Sequence, residues 1–125
     1  MPTYDATLFD PPAPVARVTL RDPSTGTTWS DVPMLLDSGA DVTLVPLACV
    51  DHLGLTPMAG RSYEVQGFDG AASLAPVVTL ELGFQGRLFR GQFLLHDDDV
   101  GIIGRNVLNR LAIVFDGPRL EWREL

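Results

Sequence analysis

Residues 35–41 of this sequence read Leu-Leu-Asp-Ser-Gly-Ala-Asp, and this stretch guides the interpretation of the whole chain. Two apolar residues lead into a carboxylate, a hydroxyl and two small residues. An Asp at the end of an apolar strand is partly removed from water, which costs energy unless the group is paired, hydrogen-bonded or neutral. Asp37 is therefore a candidate catalytic residue. The alternative is that Asp37 only hydrogen-bonds its own turn, as Asp often does.

The segments before Asp37 have the pattern of a β-hairpin. Polar and apolar positions alternate over residues 15–21, as expected of a half-buried strand. The sequence Asp-Pro-Ser-Thr-Gly at 22–26 favours a turn, because Pro presets φ and Gly tolerates a positive φ. Residues 27–36 are then the returning strand, which ends at Asp37.

The rest of the chain also consists of short apolar segments separated by Gly and Pro, which is typical of an all-β barrel or sandwich. Short helices are predicted at 47–53, closed by Gly54, and at 105–111. The predicted strands are 42–45, 63–66, 73–82, 87–95, 111–115 and 120–123. We expect a single domain, 1–125.

Composition excludes several classes of protein. A hydrophobic fraction of 46% with 20% charged residues excludes intrinsic disorder. The apolar runs are far shorter than the roughly 20 residues that cross a bilayer, so no membrane association is expected. A net charge of −7 argues against nucleic acid as a partner. Cys49, the single cysteine, cannot form an intrachain disulfide, and the first ten residues do not resemble a secretory signal, so we expect a cytoplasmic protein.

A second stretch, residues 101–108, reads Gly-Ile-Ile-Gly-Arg-Asn-Val-Leu, which taken alone is an ordinary junction between a strand and a helix. Together with residues 35–41, and with a predicted hairpin between them, it closely resembles the retropepsin family, the retroviral-type aspartic proteases. The resemblance extends from about residue 15 to about residue 115. It implies an all-β fold, a small closed β-barrel or sandwich of the retropepsin type with one short C-terminal helix, active as a two-fold dimer.

The resemblance also implies a mechanism. Aspartic proteolysis uses two carboxylates that share one proton, because like charges about 3 Å apart cannot both ionise. One acts as a base on water while the other donates a proton toward the peptide carbonyl. The chain has one Asp-Ser-Gly sequence, so the expected enzyme is a homodimer that combines two copies of Asp37. Its substrate would be a peptide or protein, with no cofactor and no metal.

Further site residues follow from the same resemblance. Ser38 would brace the two active-site loops against each other, Gly39 would allow close approach of the backbone, and Ala40 would bond the substrate backbone. Asp41 and Arg105 would form a structural ion pair. The alternative for that pair is two unrelated surface charges.

The predicted hairpin between the two motifs would be a flap that closes over the substrate. Its tip consists of Gly67, Phe68, Asp69 and Gly70. Val100 and Ile102 are the expected substrate-binding residues. The candidates for apolar subsites or near-site packing are Val32, Leu36, Val45, Val100 and Ile102.

Three interpretations remain open for the polar run His-Asp-Asp-Asp at 96–99. It is a solvated loop, a metal site, or an acidic rim of the substrate cleft that favours Arg or Lys in substrates. Consecutive carboxylates do not converge on one ion without a special loop, which weighs against the metal site. Two alternatives to the enzyme also remain: a non-catalytic peptide-binding or dimerisation module on the same fold, and an unrelated small β-barrel.

Overall fold

A computed structural model describes residues 2–56, 62–66 and 72–125, with the side chains of 62–66 and 72–74 left undescribed. The elements that it contains follow in chain order. They are β1 (Val15–Arg21), β2 (Thr28–Leu36), β3 (Leu44–Pro46), α1 (Cys49–Leu53), β4 (Ser62–Gln66), β5 (Ala72–Phe84), β6 (Arg87–His96), β7 (Gly101–Ile103), α2 (Arg105–Leu108), β8 (Ile113–Asp116) and β9 (Glu121–Glu124).

Local sequence accounts for most of these elements. In β1 the side chains of Ala16, Val18 and Leu20 are buried, which confirms the predicted alternation. Helix α1 ends at Gly54, whose φ of 66° is the left-handed conformation that glycine adopts without strain. Helix α2 is shorter than predicted, with Asn109 as its C-terminal cap.

Six strands close into a barrel, in the order β1-β2-β7-β3-β6-β5. Antiparallel pairing of Thr19 to Arg21 with Glu81 to Gly83 joins β1 to β5 and closes it. The β2–β7 and β3–β6 pairs are parallel. The expected all-β fold with a closed barrel is thereby confirmed.

Strand β4 lies outside the barrel. It pairs with the first five residues of β5, from Ala72 to Pro76, while the later part of β5 pairs with β6. The β4–β5 hairpin therefore extends from the barrel, at the position predicted for the flap. The predicted flap tip, Gly67, Phe68, Asp69 and Gly70, lies outside the described residues.

The barrel interior holds the main core. Leu20, Met34, Leu80, Leu82 and Ile103 are each 0% exposed, and they come from four of the six barrel strands, β1, β2, β5 and β7. Burial of such side chains stabilises each by about 1.5–3 kcal/mol relative to exposure. A smaller cluster contains Leu44, Ala75, Val77 and Leu94, and half-buried Ile102 packs against it.

One buried charge lies between β1, β5 and β6. Glu81 is 2% exposed, and its carboxylate accepts hydrogen bonds from the guanidinium groups of Arg90 and Arg21. The Arg90 bonds are 3.1 Å from Nε and 2.8 Å from Nη2. Hydrogen bonds from Arg90 and then from Arg21 hold the pKa of Glu81 below its usual value. The buried carboxylate is thus paired, which is the condition under which a charge is tolerated inside a fold.

The two ends of the chain meet in a small sheet beside the barrel. Strands β8 and β9 pair in antiparallel fashion. The amide of Tyr4 donates to the carbonyl of Leu120 over 2.7 Å, and the amide of Trp122 donates to that of Pro2 over 3.0 Å. Trp122 reaches the core, where its ring lies 5.9 Å from that of Phe84. No helix within the described ranges is long and apolar enough to cross a membrane.

Candidate active site

Asp37 lies where β2 leaves the barrel. Its amide donates to the carbonyl of Ile103 over 3.0 Å, which continues the parallel pairing of Leu36 with Ile103. The side chain is half-buried, between the core below it and the exposed residues Ser38 and Gly39 after it. This is the partly desolvated carboxylate that the sequence predicted.

The turn after Asp37 holds one carboxylate oxygen. Asp37 Oδ1 accepts the amide of Gly39 over 2.9 Å, and the amide of Ala40 donates to the Asp37 carbonyl over 3.2 Å. A Cβ atom on Gly39 would lie 3.1 Å from Oδ1, so a glycine suits this close approach. Within the described residues Oδ2 has no hydrogen-bond partner, so the turn after Asp37 holds one of its two carboxylate oxygens.

The second motif contacts this turn directly. The amide of Arg105 donates to the carbonyl of Ala40, and its guanidinium Nη1 donates to the carbonyl of Ser38, both over 2.8 Å. Arg105 therefore holds the backbone of the loop that carries Asp37. The two stretches singled out in the sequence are adjacent in the fold.

The expected ion pair between Asp41 and Arg105 is corrected by this geometry. It is absent from the ion pairs of the described residues, because the guanidinium is directed to the Ser38 carbonyl instead. Both side chains are exposed, so water solvates the Asp41 carboxylate and an ion pair there would contribute little.

Sequence reasoning missed Thr43. Its side chain is 1% exposed, and its hydroxyl donates to Asn106 Oδ1 over 2.7 Å while it accepts the amide of Gly104 over 3.1 Å. The available signal was a lone hydroxyl in the apolar run Val-Thr-Leu-Val at 42–45. A buried hydroxyl needs partners, and the second motif supplies both.

Gly104 allows the two motifs to approach each other. A Cβ atom at this position would lie 2.2 Å from the carbonyl oxygen of Val42 and 3.0 Å from that of Ala40. Both contacts are with backbone, so no side-chain rotation would relieve them. The glycine is needed for space, since its backbone is extended at φ −93° and ψ −175°.

The apolar candidates divide into two groups. Val32, Leu36 and Val45 are 0%, 5% and 0% exposed and belong to the main core, so they do not form an open subsite. Strands were predicted at these positions, and in the fold these three side chains pack in the barrel interior. Val100 and Ile102 are half-buried. Ile102 lies on β7, where it pairs with Leu35 of β2, and Val100 directly precedes that strand.

The polar run at 96–99 is mainly a solvated loop. Asp97, Asp98 and Asp99 are exposed, and Asp98 Oδ1 accepts the amide of Val100 over 3.2 Å. In the part of the chain that the structure describes, no group of three or more His, Cys, Asp or Glu side chains is placed to hold a metal ion. Cys49 is fully buried, and burial raises the pKa of its thiol to about 11, which disfavours the thiolate that a cysteine nucleophile requires.

The closed all-β barrel with a short helix matches the fold of a retroviral protease, and the chain is retropepsin-like. The sequence profile described as aspartyl protease matches residues 14–107, and the chain belongs to that family. Among solved structures it is similar to the EIAV protease complexed with the inhibitor HBY-793, with a TM-score of 0.57 and 25% identity. The similarity covers 78% of this chain and 86% of that one. Comparison with curated protein sequences gives no significant match.

Proposed function

We propose that the protein is an aspartic endopeptidase in which two copies of Asp37, one from each chain of a homodimer, activate a water molecule. The family and the fold support a protease-like function. The observation that carries the finer proposal is the state of the Asp37 carboxylate. It is half-buried at the end of a barrel strand, with Oδ1 held by Gly39 and Oδ2 unpartnered within the described residues.

The proposed hydrolysis of a peptide bond requires a second carboxylate. One ionised Asp37 takes a proton from water, and the water oxygen bonds to the peptide carbonyl carbon while the protonated Asp37 of the partner chain donates to the carbonyl oxygen. Collapse of the tetrahedral intermediate then breaks the C–N bond. The leaving nitrogen receives the proton that the first Asp37 took from water, and the Asp37 of the partner chain takes a proton back from a hydroxyl of the intermediate. Since one chain supplies one such loop, a two-fold dimer is the simplest complete site.

The terminal sheet supports the dimer proposal. Strand β9 lies between β8 and the N-terminal segment, so β8 is an outer strand among the described residues. Phe115 on β8 and Leu120 beside β9 are both 44% exposed. An exposed apolar side chain on an unpaired strand edge, such as Phe115 on β8, favours association with another chain.

The family and the fold also support a proposal for how the substrate binds. An extended peptide would lie beneath the β4–β5 hairpin, whose tip at 67–70 would act as the flap. Ala40 would bond the peptide backbone, and Val100 and Ile102 would contact side chains. Ser38 would brace one Asp37 loop against its counterpart. We propose that residues 1–125 form one protease domain, and a cytoplasmic location stays a prediction.

Replacement of Asp37 tests the proposal. Asp37→Asn should abolish cleavage of a peptide library, with circular dichroism and the sedimentation coefficient unchanged. Asp51→Asn is the matched control, since Asp51 is an exposed carboxylate on α1. Cleavage by wild-type protein should be inhibited by pepstatin and should rise with the fraction of dimer measured by sedimentation.

Two results would contradict the proposal. Full activity of Asp37→Asn would remove Asp37 from the mechanism. Sedimentation as a monomer at every concentration, without cleavage, would favour the non-catalytic peptide-binding module instead.

A further inference from the structure

The N-terminal segment pairs with strand β9 of its own chain. The amide of Tyr4 donates to the carbonyl of Leu120 over 2.7 Å, and the amide of Trp122 donates to the carbonyl of Pro2 over 3.0 Å. Both bonds lie on the side of β9 that faces away from β8, because β8 pairs with its other side. Both edges of β9 are therefore occupied within one chain.

The far side of the N-terminal segment also has a neighbour. The amide of Asp5 donates to the carbonyl of Ala13 over 2.7 Å, and the amide of Ala13 donates to the carbonyl of Asp5 over 3.1 Å. Among the described residues, the longer free edge of this small sheet is therefore the outer edge of β8.

The ladder fixes which backbone groups of β8 point outward. The amide of Leu125 donates to the carbonyl of Ala112 over 2.8 Å, so the backbone of Ala112 faces β9. Successive residues of a strand direct their backbone groups to opposite sides, so Ile113 and Phe115 direct N–H and C=O away from β9. Trp122 agrees with this assignment, since it lies opposite Phe115 and its amide points away from β8. The described residues give these outward groups no backbone partner.

The outward groups are complementary to a second copy of themselves. If two β8 strands lie antiparallel around a two-fold axis at Val114, Ile113 of each copy faces Phe115 of the other. Each such pair exchanges two N–H···O=C bonds. An axis at Phe115 would instead place Ile113 opposite Gly117, which lies beyond the end of β8. The register centred on Val114 therefore uses every outward group of the strand.

The side chains fit the same register. Phe115 lies on the face of the sheet that carries Trp122, and it is 44% exposed. Across the axis its neighbour would be Ile113 of the second copy, and aromatic and β-branched cross-strand neighbours stabilise a sheet. Asp116 would lie opposite Ala112 of the second copy, so the register does not bring two carboxylates together.

We propose that two copies of this chain join along the outer edges of β8, in the antiparallel register centred on Val114, without exchange of chain ends. The strand order of the joined sheet is N-terminal segment, β9, β8, β8, β9, N-terminal segment. Each chain completes its own terminal sheet, so the copies separate and rejoin as folded units. As the contact that unites two Asp37 loops, this pairing rests on the proposed protease, although its hydrogen bonds do not involve Asp37.

A cysteine substitution at the axis tests the register. The Cα atoms of a non-hydrogen-bonded antiparallel pair lie about 4.5 Å apart, within the range of about 4.4–6.8 Å that a disulfide spans. Val114→Cys should therefore form a covalent dimer in a glutathione redox buffer, seen on a non-reducing denaturing gel. Asp116→Cys is the matched control, because its two copies would lie roughly 14 Å apart and should not crosslink. The native Cys49 is 0% exposed and should not react.

A second disulfide tests whether chain ends are exchanged. Thr3 and Glu121 are bridge partners between the N-terminal segment and β9. The double variant Thr3→Cys and Glu121→Cys should close this bridge within one chain, so the oxidised protein should run as a monomer on the same gel. A covalent dimer would show that the N-terminal segment pairs with β9 of the other copy, and it would overturn the proposal.

Removal of one outward amide tests the hydrogen bonds. Phe115→Pro deletes an N–H that faces away from β9, so the pairing within the chain and the circular dichroism spectrum should be retained. Phe115→Ala is the matched control, because it loses the same aromatic ring and keeps the N–H. We expect the dissociation constant of the dimer, measured by sedimentation, to rise at least about 10-fold more in Phe115→Pro than in Phe115→Ala. Equal constants would overturn the proposal.

The outcomes distinguish this pairing from the proposed protease. A wild-type protein that dimerises and cleaves peptides, while Val114→Cys does not crosslink or Asp116→Cys crosslinks equally, would overturn the pairing and leave the protease. Specific crosslinking of Val114→Cys, with no peptide cleavage by the wild type, would support the pairing and contradict the protease. A wild type that stays monomeric at every concentration would overturn both.

Discussion

The Thr43 hydroxyl donates a hydrogen bond to Asn106 Oδ1 over 2.7 Å, across a separation of 63 residues in the chain. The same hydroxyl accepts the amide of Gly104, which is itself buried. One side chain thus connects the segment after the Asp37 loop to the start of α2. This contact helps to hold the two sequence motifs together, beside the hydrogen bonds from Arg105 to the carbonyls of Ser38 and Ala40.

Two replacements of Thr43 should distinguish the contribution of its hydroxyl to stability from the contribution of its packing. Thr43→Val leaves the Gly104 amide buried without an acceptor, so we expect the free energy of unfolding to fall by about 1–3 kcal/mol. Thr43→Ser is the control, because it keeps the hydroxyl and loses one methyl group, at a cost of about 0.8 kcal/mol. Urea unfolding of both variants measures the difference. A smaller loss for Thr43→Val than for Thr43→Ser would show that packing outweighs the hydrogen bonds.

Gly104 should tolerate no side chain. In Gly104→Ala the added Cβ would meet the Val42 carbonyl oxygen at 2.2 Å, and the backbone must move to relieve it. We expect a loss of about 3 kcal/mol or more, at the upper end of overpacking effects, together with loss of peptide cleavage. Gly91→Ala is the matched control, because a Cβ there has no neighbour within 4 Å. Its stability should stay within about 0.5 kcal/mol of wild type in urea unfolding. Similar stabilities of the two variants would contradict the prediction.

Glu81 should make folding stability depend on acid pH. Its folded-state pKa lies below the usual value of 4.5, chiefly because of hydrogen bonds from Arg90 and Arg21. The stabilisation is therefore complete above pH 4.5 and is lost as the pH falls through the folded-state pKa. Glu81→Gln should weaken this loss, measured as the change in urea midpoint between a neutral and a strongly acidic buffer. Asp99→Asn, which removes an exposed carboxylate, should retain the wild-type pH dependence. If the stability of Glu81→Gln depended on pH as strongly as that of the wild type, Glu81 would not be the source of the acid sensitivity.

The acidic loop at 97–99 should influence substrate choice if it forms the rim of the cleft. Replacement of the three Asp residues by Asn should lower kcat/KM for peptides with Arg or Lys more than for otherwise identical peptides with Met. Exposed ion pairs contribute about 0.2–1 kcal/mol each, so the preference should fall several-fold and should weaken with salt in the wild type. Profiling matched peptides at two ionic strengths measures both effects. An unchanged preference would leave the loop as a solvated connection.

Local features of the sequence predicted the elements well. The alternation over residues 15–21 and the turn at 22–26 identified β1 and its hairpin, because side-chain period and turn chemistry act over neighbouring residues. The Gly54 stop of α1 was predicted for the same reason. Strand β3 differs from its prediction, at Leu44–Pro46 instead of 42–45.

Pairings between distant segments could not be predicted in this way. Nothing local distinguishes a strand that closes a barrel from one at its edge, and closure follows from the pairing of Thr19 with Gly83 and its neighbours. The same limit explains the corrected partner of Arg105. Its guanidinium reaches a backbone carbonyl whose position depends on the folded loop, whereas the sequence shows only charged residues.

The sequence by itself determined the chemistry available to this protein: one Asp-Ser-Gly loop, the Gly-Arg-Asn junction and the apolar strands that carry them. These are properties of residue type and short-range order. Only the tertiary structure decided that Thr43 joins the two motifs, that Val32 and Val45 belong to the core, and that the N-terminal segment pairs with β9 of its own chain. The physical reason is that hydrogen bonds and burial between distant residues depend on where the closed barrel places them, which no local pattern specifies.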